Sequence, residues 1–463
     1  METQKKQNGL NIIIVGCGRV GITLVEQLTA EGHDITVIDK DPERISMLTD
    51  LYDIMGVVGN GASFGVQIEA GIKNANLIIA VTESDELNLL CCTVARRVGD
   101  CAAIARVRDP DYNIEIGYLR EKLGLAMIIN PELEASREMA KILCMPTALE
   151  IESFAHGQAE LIKFKIKKGS VLDGMSVSTL GANNENILVC AVERGERVFI
   201  PKGDDVLMAG DIVAFVAPRK AARAFFKKIG SKSHQVKDTL IVGGGSTAYY
   251  LAKQLIHLGT KVTIIEKNKQ RCERLADLLP NAIIINGDGT DEELLREEGV
   301  ESVESFVPLT DKDEENIFLN LYVNRVSKAN IKIITRIKAI TFKDVIDNLD
   351  LGSLVYPRYI TTRAIIAFVR AKKASRSSGV ETLSYIFNHR VEAIEFRVQE
   401  NVPNLTDVML MDLNLKSSVL ITFINRHGKI IIPSGQDCIK PDDTVMIATT
   451  QKGFSEISDI LEK

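Results

Sequence analysis

Residues 11–21, NIIIVGCGRVG, decide how the first part of the chain folds. NIIIV is a short continuous apolar run, the pattern of a strand buried on both faces of a parallel sheet. GCGRVG follows, and a helical pattern then runs through Glu31. Strand, glycine-rich turn and helix in this order open a dinucleotide-binding unit. Gly16 permits the tight turn, Gly18 lets a pyrophosphate approach the backbone, and Gly21 lets the helix pack on the sheet. Gly16, Cys17, Gly18, Arg19, Val20 and Gly21 are therefore the expected phosphate cradle. A helix N-terminus supplies free N–H donors and the positive end of its dipole, so no lysine is needed there. The next strand, ITVID, ends in Asp39, 18 residues beyond Gly21. At about that separation a carboxylate accepts hydrogen bonds from ribose hydroxyls and repels a 2′-phosphate, which disfavours NADP. The alternative is a turn of this kind kept for packing alone.

Four more apolar runs follow: IMGVVGN with Gly59 and Asn60, LIIAVT ending at Thr82, AAIARVRD with Arg106 and Arg108, and AMIIN before Pro131. Six strands alternating with helices predict a doubly wound parallel sheet. Ligands of such sheets sit beyond the carboxyl ends of the strands, where Asn60, Thr82 and the two arginines fall. Thr82 and Asp85 read either as a helix-capping T-x-x-D or as a nucleotide contact. Arg106 and Arg108 either hold phosphate through charge-assisted bonds or pair with neighbouring acids.

The pattern then returns in IVGGGSTA, residues 241–248. Gly243 and Glu266 both stand 227 residues beyond their counterparts Gly16 and Asp39, and Thr310, Asp313 and Asn316 stand 228 beyond Thr82, Asp85 and Asn88. Constant offsets argue for an internal duplication. Arg336 and Lys338 take the places of Arg106 and Arg108, and Asp288 that of Asn60. Ala248 replaces the third glycine, which a position needing only a small residue tolerates. Gly243, Gly245, Ser246, Thr247, Glu266, Asp288 and Thr310 form the second expected site. Ser246 and Thr247 either bond phosphate or cap the helix. Glu266 reaches further than Asp39, so the two sites need not prefer the same ligand.

Each parallel unit continues into a helix beginning near Pro131 or Pro357 and then into a smaller unit opened by the alternating runs LIKFKIKKGS and EAIEFRVQEN. ERVFIPKGDDVLMAGDIVAFV and GKIIIPSGQDCIKPDDTVMIA supply matching strand, turn, strand elements in the two small units. The fold class expected is α/β: two Rossmann-like doubly wound parallel sheets, each followed by a small β-rich α+β domain. The boundaries expected are 1–135, 136–230, 231–372 and 373–463, with polar linkers around GSKSHQVKD and AKKASRSSGV.

With 56 basic and 62 acidic residues intermixed, and a net charge of −6, nothing marks a nucleic-acid surface. METQKKQNGL leads into the first strand without a signal-peptide run, and no apolar stretch reaches the roughly 18–20 residues of a membrane span, so a cytoplasmic chain with no transmembrane segment is expected. The eight cysteines lack metal-ligand spacing and read as buried thiols; no metal site is expected.

IIIVGCGRVG with ITVIDKDPER, VTESDELNLL, IARVRDPDY, the Pro-led helices and IPKGDDVLMAGD, repeated in degenerate form, resemble the regulatory subunits of Trk-type potassium uptake systems, the tandem RCK or KTN proteins. The resemblance runs over nearly the whole chain. It implies a cytosolic homo-oligomer, usually a tetrameric ring of eight RCK domains, peripheral on the inner face of the cell membrane beneath a potassium channel or transporter of the Trk type. It implies NAD(H) and ATP/ADP as regulatory ligands, with basic residues matching Arg106 and Arg108 meeting phosphate across a protomer boundary. Asn60 and Ala248 depart from the family pattern. The function expected is therefore regulatory and not enzymatic. The alternatives are a regulator of another cation channel or antiporter, and an NAD-dependent oxidoreductase. The last is disfavoured because the linking units are small and β-rich and the six histidines are isolated.

Overall fold

The computed structural model describes residues 9–184, 186–230, 235–327, 331–338, 346, 349, 351–373, 378–387, 390–398 and 401–462. Part of each expected linker, residues 231–234 and 374–377, lies outside them. The chain divides into two compact units. One comprises residues 1–135 with 338–341 and 356–366; the other comprises 136–337, 342–355 and 367–463.

The first unit is built on β1 (Asn11–Val15), β2 (Asp34–Asp39), β3 (Met55–Val58), β4 (Leu77–Ala80), β5 (Ala102–Arg106) and β6 (Met127–Ile129), all parallel in the order β3-β2-β1-β4-β5-β6. The order reverses between β1 and β4, which puts a crevice at their carboxyl ends. Helices α1 (Arg19–Ala30), α2 (Pro42–Leu51), α3 (Phe64–Glu69), α4 (Asp85–Val98), α5 (Pro110–Ile114) and α6 (Ile116–Lys122) connect the strands. The apolar run of β1 is buried from Ile12 to Val15, and β4 is buried throughout, as a sheet covered on both faces requires.

Helix α7 (Pro131–Cys144) leads to an antiparallel sheet of β7 (Glu150–Phe154), β8 (Ala159–Lys165), β9 (Leu188–Arg194), β10 (Arg197–Phe199) and β11 (Ile212–Pro218), with α8 (Val177–Asn183) and α9 (Arg219–Lys228). A second parallel sheet follows: β12 (Asp238–Val242), β13 (Lys261–Glu266), β14 (Ile283–Asn286), β15 (Ser305–Pro308), β16 (Lys332–Arg336) and β17 (Ser353–Val355). Its order, β14-β13-β12-β15-β16-β17, is that of the first. Its helices are α10 (Ser246–His257), α11 (Lys269–Leu278), α12 (Glu292–Glu297) and α13 (Asp313–Val326). Helix α14 (Pro357–Lys373) leads to β18 (Ser378–Ile386), β19 (Val391–Val398), β20 (Val419–Arg426), β21 (Lys429–Ile431) and β22 (Thr444–Thr449). The strand order β18-β19-β22-β20-β21 repeats that of the first antiparallel sheet. The fold is thus the expected pair of parallel sheets, each followed by a small antiparallel one.

The two antiparallel sheets share one core, in which Phe154, Leu161, Ala191 and Val216 meet Ile386, Phe387, Phe423 and Met446. Phe154 and Phe423 touch edge to face at 6.4 Å. The contact is near-symmetric: Lys163 Nζ lies 5.2 Å from the Phe387 ring, while Glu395, its counterpart 232 residues on, accepts a 2.9 Å bond from the Ala155 amide. Each sheet also carries an internal bidentate pin, Arg194 to Asp211 and Arg426 to Asp443. Arg370 of α14 forms a bidentate pair with Glu392 of β19, both side chains only 2% exposed. Removing either partner would break a buried ion pair, at a cost of about 3–5 kcal/mol.

Lys332 begins β16 and sends its Nζ to the carbonyl of Ala148, while Ser353 Oγ donates to the carbonyl of Leu149 at 2.7 Å. Burial alone drives the Lys332 pKa down to about 7. The unfolded chain, with an ordinary lysine pKa, therefore binds more protons than the folded one between about pH 7 and pH 10, and stability rises with pH through that window. Lys332→Met is expected to remove this rise and to stabilise the protein at pH 6 more than at pH 10. Thermal unfolding midpoints of both proteins across that range check it; parallel profiles would show that Lys332 is not the titrating group.

Candidate functional site

Each parallel sheet carries a glycine turn at its reversal point. Gly16 has φ +103°, a left-handed value that glycine adopts without strain, and a Cβ there would lie 3.0 Å from the Thr82 amide. Gly243 repeats this with φ +99° against Leu309. Gly18 and Gly245 are the residues before α1 and α10, and a Cβ on either would meet nothing within 4 Å. Neither helix has a side-chain cap, whereas α2, α4 and α11 are capped by Asp41, Ser84 and Asn268. Open space beside uncapped N–H groups is what an approaching phosphate needs.

Gly21 serves the turn more than the sheet: its Cβ would lie 2.0 Å from the Gly16 carbonyl oxygen. Ala248 occupies that position in the second turn and is fully buried, so the second turn has opened enough for a methyl. Arg19 is exposed and Val20 buried, leaving Val20 only its backbone to offer a ligand. Ser246 is half-buried and Thr247 buried, and neither caps α10.

The carboxylates behave as expected in position and differ in detail. Asp39 Oδ2 accepts from the Cys17 amide at 2.6 Å and Oδ1 from the Asp41 amide at 3.0 Å. Asp39 stays half-exposed at the crevice. Glu266 accepts the equivalent bonds from Gly244 and Asn268, both at 2.7 Å, but is 5% exposed and also holds Arg271 at 3.2 Å. The middle position stays glycine because a Cβ on Gly244 would lie 2.6 Å from Leu275 Cδ1 and 3.1 Å from both Cβ and Cγ of Glu266. Burial, with Asp39 adding to it, pushes the Cys17 thiol up to about 12, which keeps it protonated and unreactive at neutral pH.

The T-x-x-D segment resolves differently from a cap. Ser84 caps α4, and the Thr82 hydroxyl donates to Asn88 Oδ1 at 2.7 Å. Asp85 accepts from the amides of Arg108 and Asp109 at 2.7 and 2.8 Å, and Arg108 Nε lies 3.5 Å from it. Arg106 donates to the Thr82 carbonyl at 2.8 Å; burial and the neighbouring Arg108 lower its pKa. Arg336 donates to the Thr310 carbonyl at 2.7 Å and also to Thr247 Oγ1 at 3.3 Å. Thr310 Oγ1 donates to the Lys312 carbonyl. Both arginines thus brace the crevice wall. Asn60 is exposed and turns the chain through its bond from the Ala62 amide. Asp288 accepts from the amide and hydroxyl of Thr290, which lowers its pKa. Asn88 and Asn316 were read only as repeat markers. Both are fully buried, and each clasps a strand-end threonine and the carbonyl of the following arginine. Their identical place in both repeats was the available signal. Gly244 and Arg271 were missed; setting EKNKQR against DKDPER would have exposed the second.

Residues 12–131 and 239–357 match the TrkA-N domain, and residues 161–230 and 393–462 match the TrkA-C domain. The chain belongs to the TrkA family. A Trk system potassium uptake protein TrkA homolog 1 of Methanosarcina mazei is 31% identical over 456 residues, 97% of this chain and 99% of the relative. Trk system potassium uptake protein TrkA of Haemophilus influenzae is 29% identical over 461 residues, 98% of this chain and 99% of the relative. Among solved structures, a GsuK channel bound to NAD covers 97% of this chain with TM-score 0.63, over 78% of its own length, at 16% identity. That likeness is one of fold. Among the described residues of this family member, no helix is long and apolar enough to cross a membrane.

The unequal turns give a direct test. Gly21→Ala should lower the thermal stability of the first unit by about 1–3 kcal/mol despite its better helix propensity, because the methyl meets backbone. Ala248→Gly should cost about 1 kcal/mol. A Gly21→Ala protein as stable as the wild type, or more stable, in differential scanning calorimetry would contradict the tighter first turn.

Proposed function

We propose that this TrkA-family chain is a nucleotide-reading regulatory subunit of a membrane potassium uptake system of the Trk type. It acts on the cytoplasmic face as a homo-oligomer, most simply a tetramer, and takes NAD(H) and ATP/ADP at its glycine turns. The observation that carries the reading is the first turn: Asp39 holds the Cys17 amide from below and stays half-exposed, beside an uncapped helix start and the open face of Gly18. Such a carboxylate has lone pairs left for ribose hydroxyls, while the helix start takes the pyrophosphate. The Trk system names of the curated relatives and the NAD-bound GsuK channel support the same reading.

Regulation follows from differential binding. A ligand shifts the gating equilibrium only by its preference for one arrangement of subunits, and ~1–3 kcal/mol of coupling changes populations roughly 5- to 150-fold. Arg108 is held to Asp85 within the chain, at 35% exposure of its side chain, so a phosphate reached across a protomer boundary would have to compete with that pair.

Asp39→Ala should weaken NADH binding by about tenfold or more, the scale of a lost charge-assisted hydrogen bond. Rubidium uptake in cells lacking the chain should be restored by the wild type and remain low with Asp39→Ala at matched abundance. Uptake indifferent to the chain would reject the transport assignment.

A further inference from the structure

The two ribose-facing ends of the sheets carry opposite charge. Residues 39–44, DKDPER, hold three acids and two bases, net −1; residues 266–271, EKNKQR, hold one acid and three bases, net +2. The change is organised by one position. In the first repeat Asp41 caps α2 and draws Arg44, whose Nε lies 3.2 Å from Asp41 Oδ2. Asp39 thus keeps its negative charge at the crevice. In the second repeat the cap is the neutral Asn268, and Arg271, the counterpart of Arg44, turns to Glu266 at 3.2 Å.

Glu266 is consequently more heavily engaged than Asp39. Its carboxylate accepts two backbone N–H groups and the guanidinium, and its side chain is 5% exposed, whereas that of Arg271 is 47% exposed. Lys267 and Lys269 beside it are exposed as well. A ribose arriving here finds a neutralised acid behind an accessible guanidinium. A carboxylate facing the ribose rejects a 2′-phosphate, whereas a nearby arginine accommodates one through charge-assisted, bidentate bonds. We propose that the second turn selects a 2′-phosphorylated dinucleotide of the NADP(H) class, while the first selects the unphosphorylated ribose of NAD(H). This rests on reading both turns as nucleotide sites, and makes Arg271 the residue that determines specificity at the second.

The test uses the full-length protein, titrated with NADH and NADPH by calorimetry. Gly18→Asp and Gly245→Asp each place a carboxylate in open space at one phosphate cradle, so each silences one turn without a steric clash. The Gly18→Asp protein is expected to bind NADPH at least ~10-fold more tightly than NADH, and adding Arg271→Gln should erase the preference. The Gly245→Asp protein should prefer NADH. Asn268→Asp keeps a helix cap while offering Arg271 the acid that Arg44 has, and should shift the second site toward NADH. The proposal is overturned if the Gly18→Asp protein binds NADH as well as NADPH, or if its preference survives Arg271→Gln. Should Gly18→Asp bind neither while Gly245→Asp still binds NADH, the second turn is no nucleotide site, and the proposal falls with that reading. Binding of neither by the wild type would reject both turns.

Discussion

A carboxylate at the end of the second strand of each parallel sheet accepts the backbone N–H of the second residue in the glycine turn. Asp39 does this for Cys17 and Glu266 for Gly244. Much else follows from that bond. It ties the turn to the end of the neighbouring strand, one residue after the left-handed glycine at Gly16 or Gly243. It also consumes one lone pair of the carboxylate and so sets what remains for a ligand.

The two copies of this arrangement have diverged by small steps with related causes. Glu266 carries one methylene more than Asp39, and the adjoining turn residue is glycine where the first repeat has cysteine, a position closed to a Cβ by Leu275 and Glu266. Asn268 replaces the acidic cap Asp41, and the arginine one turn into the helix changes partner. The braces beneath have not moved: Asn88 and Asn316 make the same clasp, and Arg106 and Arg336 donate to the same strand-end carbonyl. On the ribose side the change of partner leaves these braces in place.

The small sheets put duplication to a different use. Their facing apolar surfaces close on each other within one chain, so counterparts such as Lys163 and Glu395 occupy matching places with unlike chemistry. Each sheet keeps its own arginine–aspartate pin, which fixes its turn without help from the other.

The sequence by itself determined the duplication, the order of sheets and the place of both turns, because apolar periodicity, glycine spacing and constant offsets are local properties that survive without knowing what packs where. It also put Asp39 and Glu266 at the ends of their strands, where the structure has them. Only the tertiary structure decided which polar groups are spent inside the fold. Thr82 reads as either a cap or a contact and is tied to Asn88; Arg108 reads as either a phosphate ligand or the partner of an acid and is paired with Asp85. Whether Arg44 and Arg271 serve the same partner depended on which acid, three or five residues earlier, each one reaches. Hydrogen-bond partners lie far apart in the chain, and a charged side chain's role follows from the acid it reaches, which spacing alone does not encode.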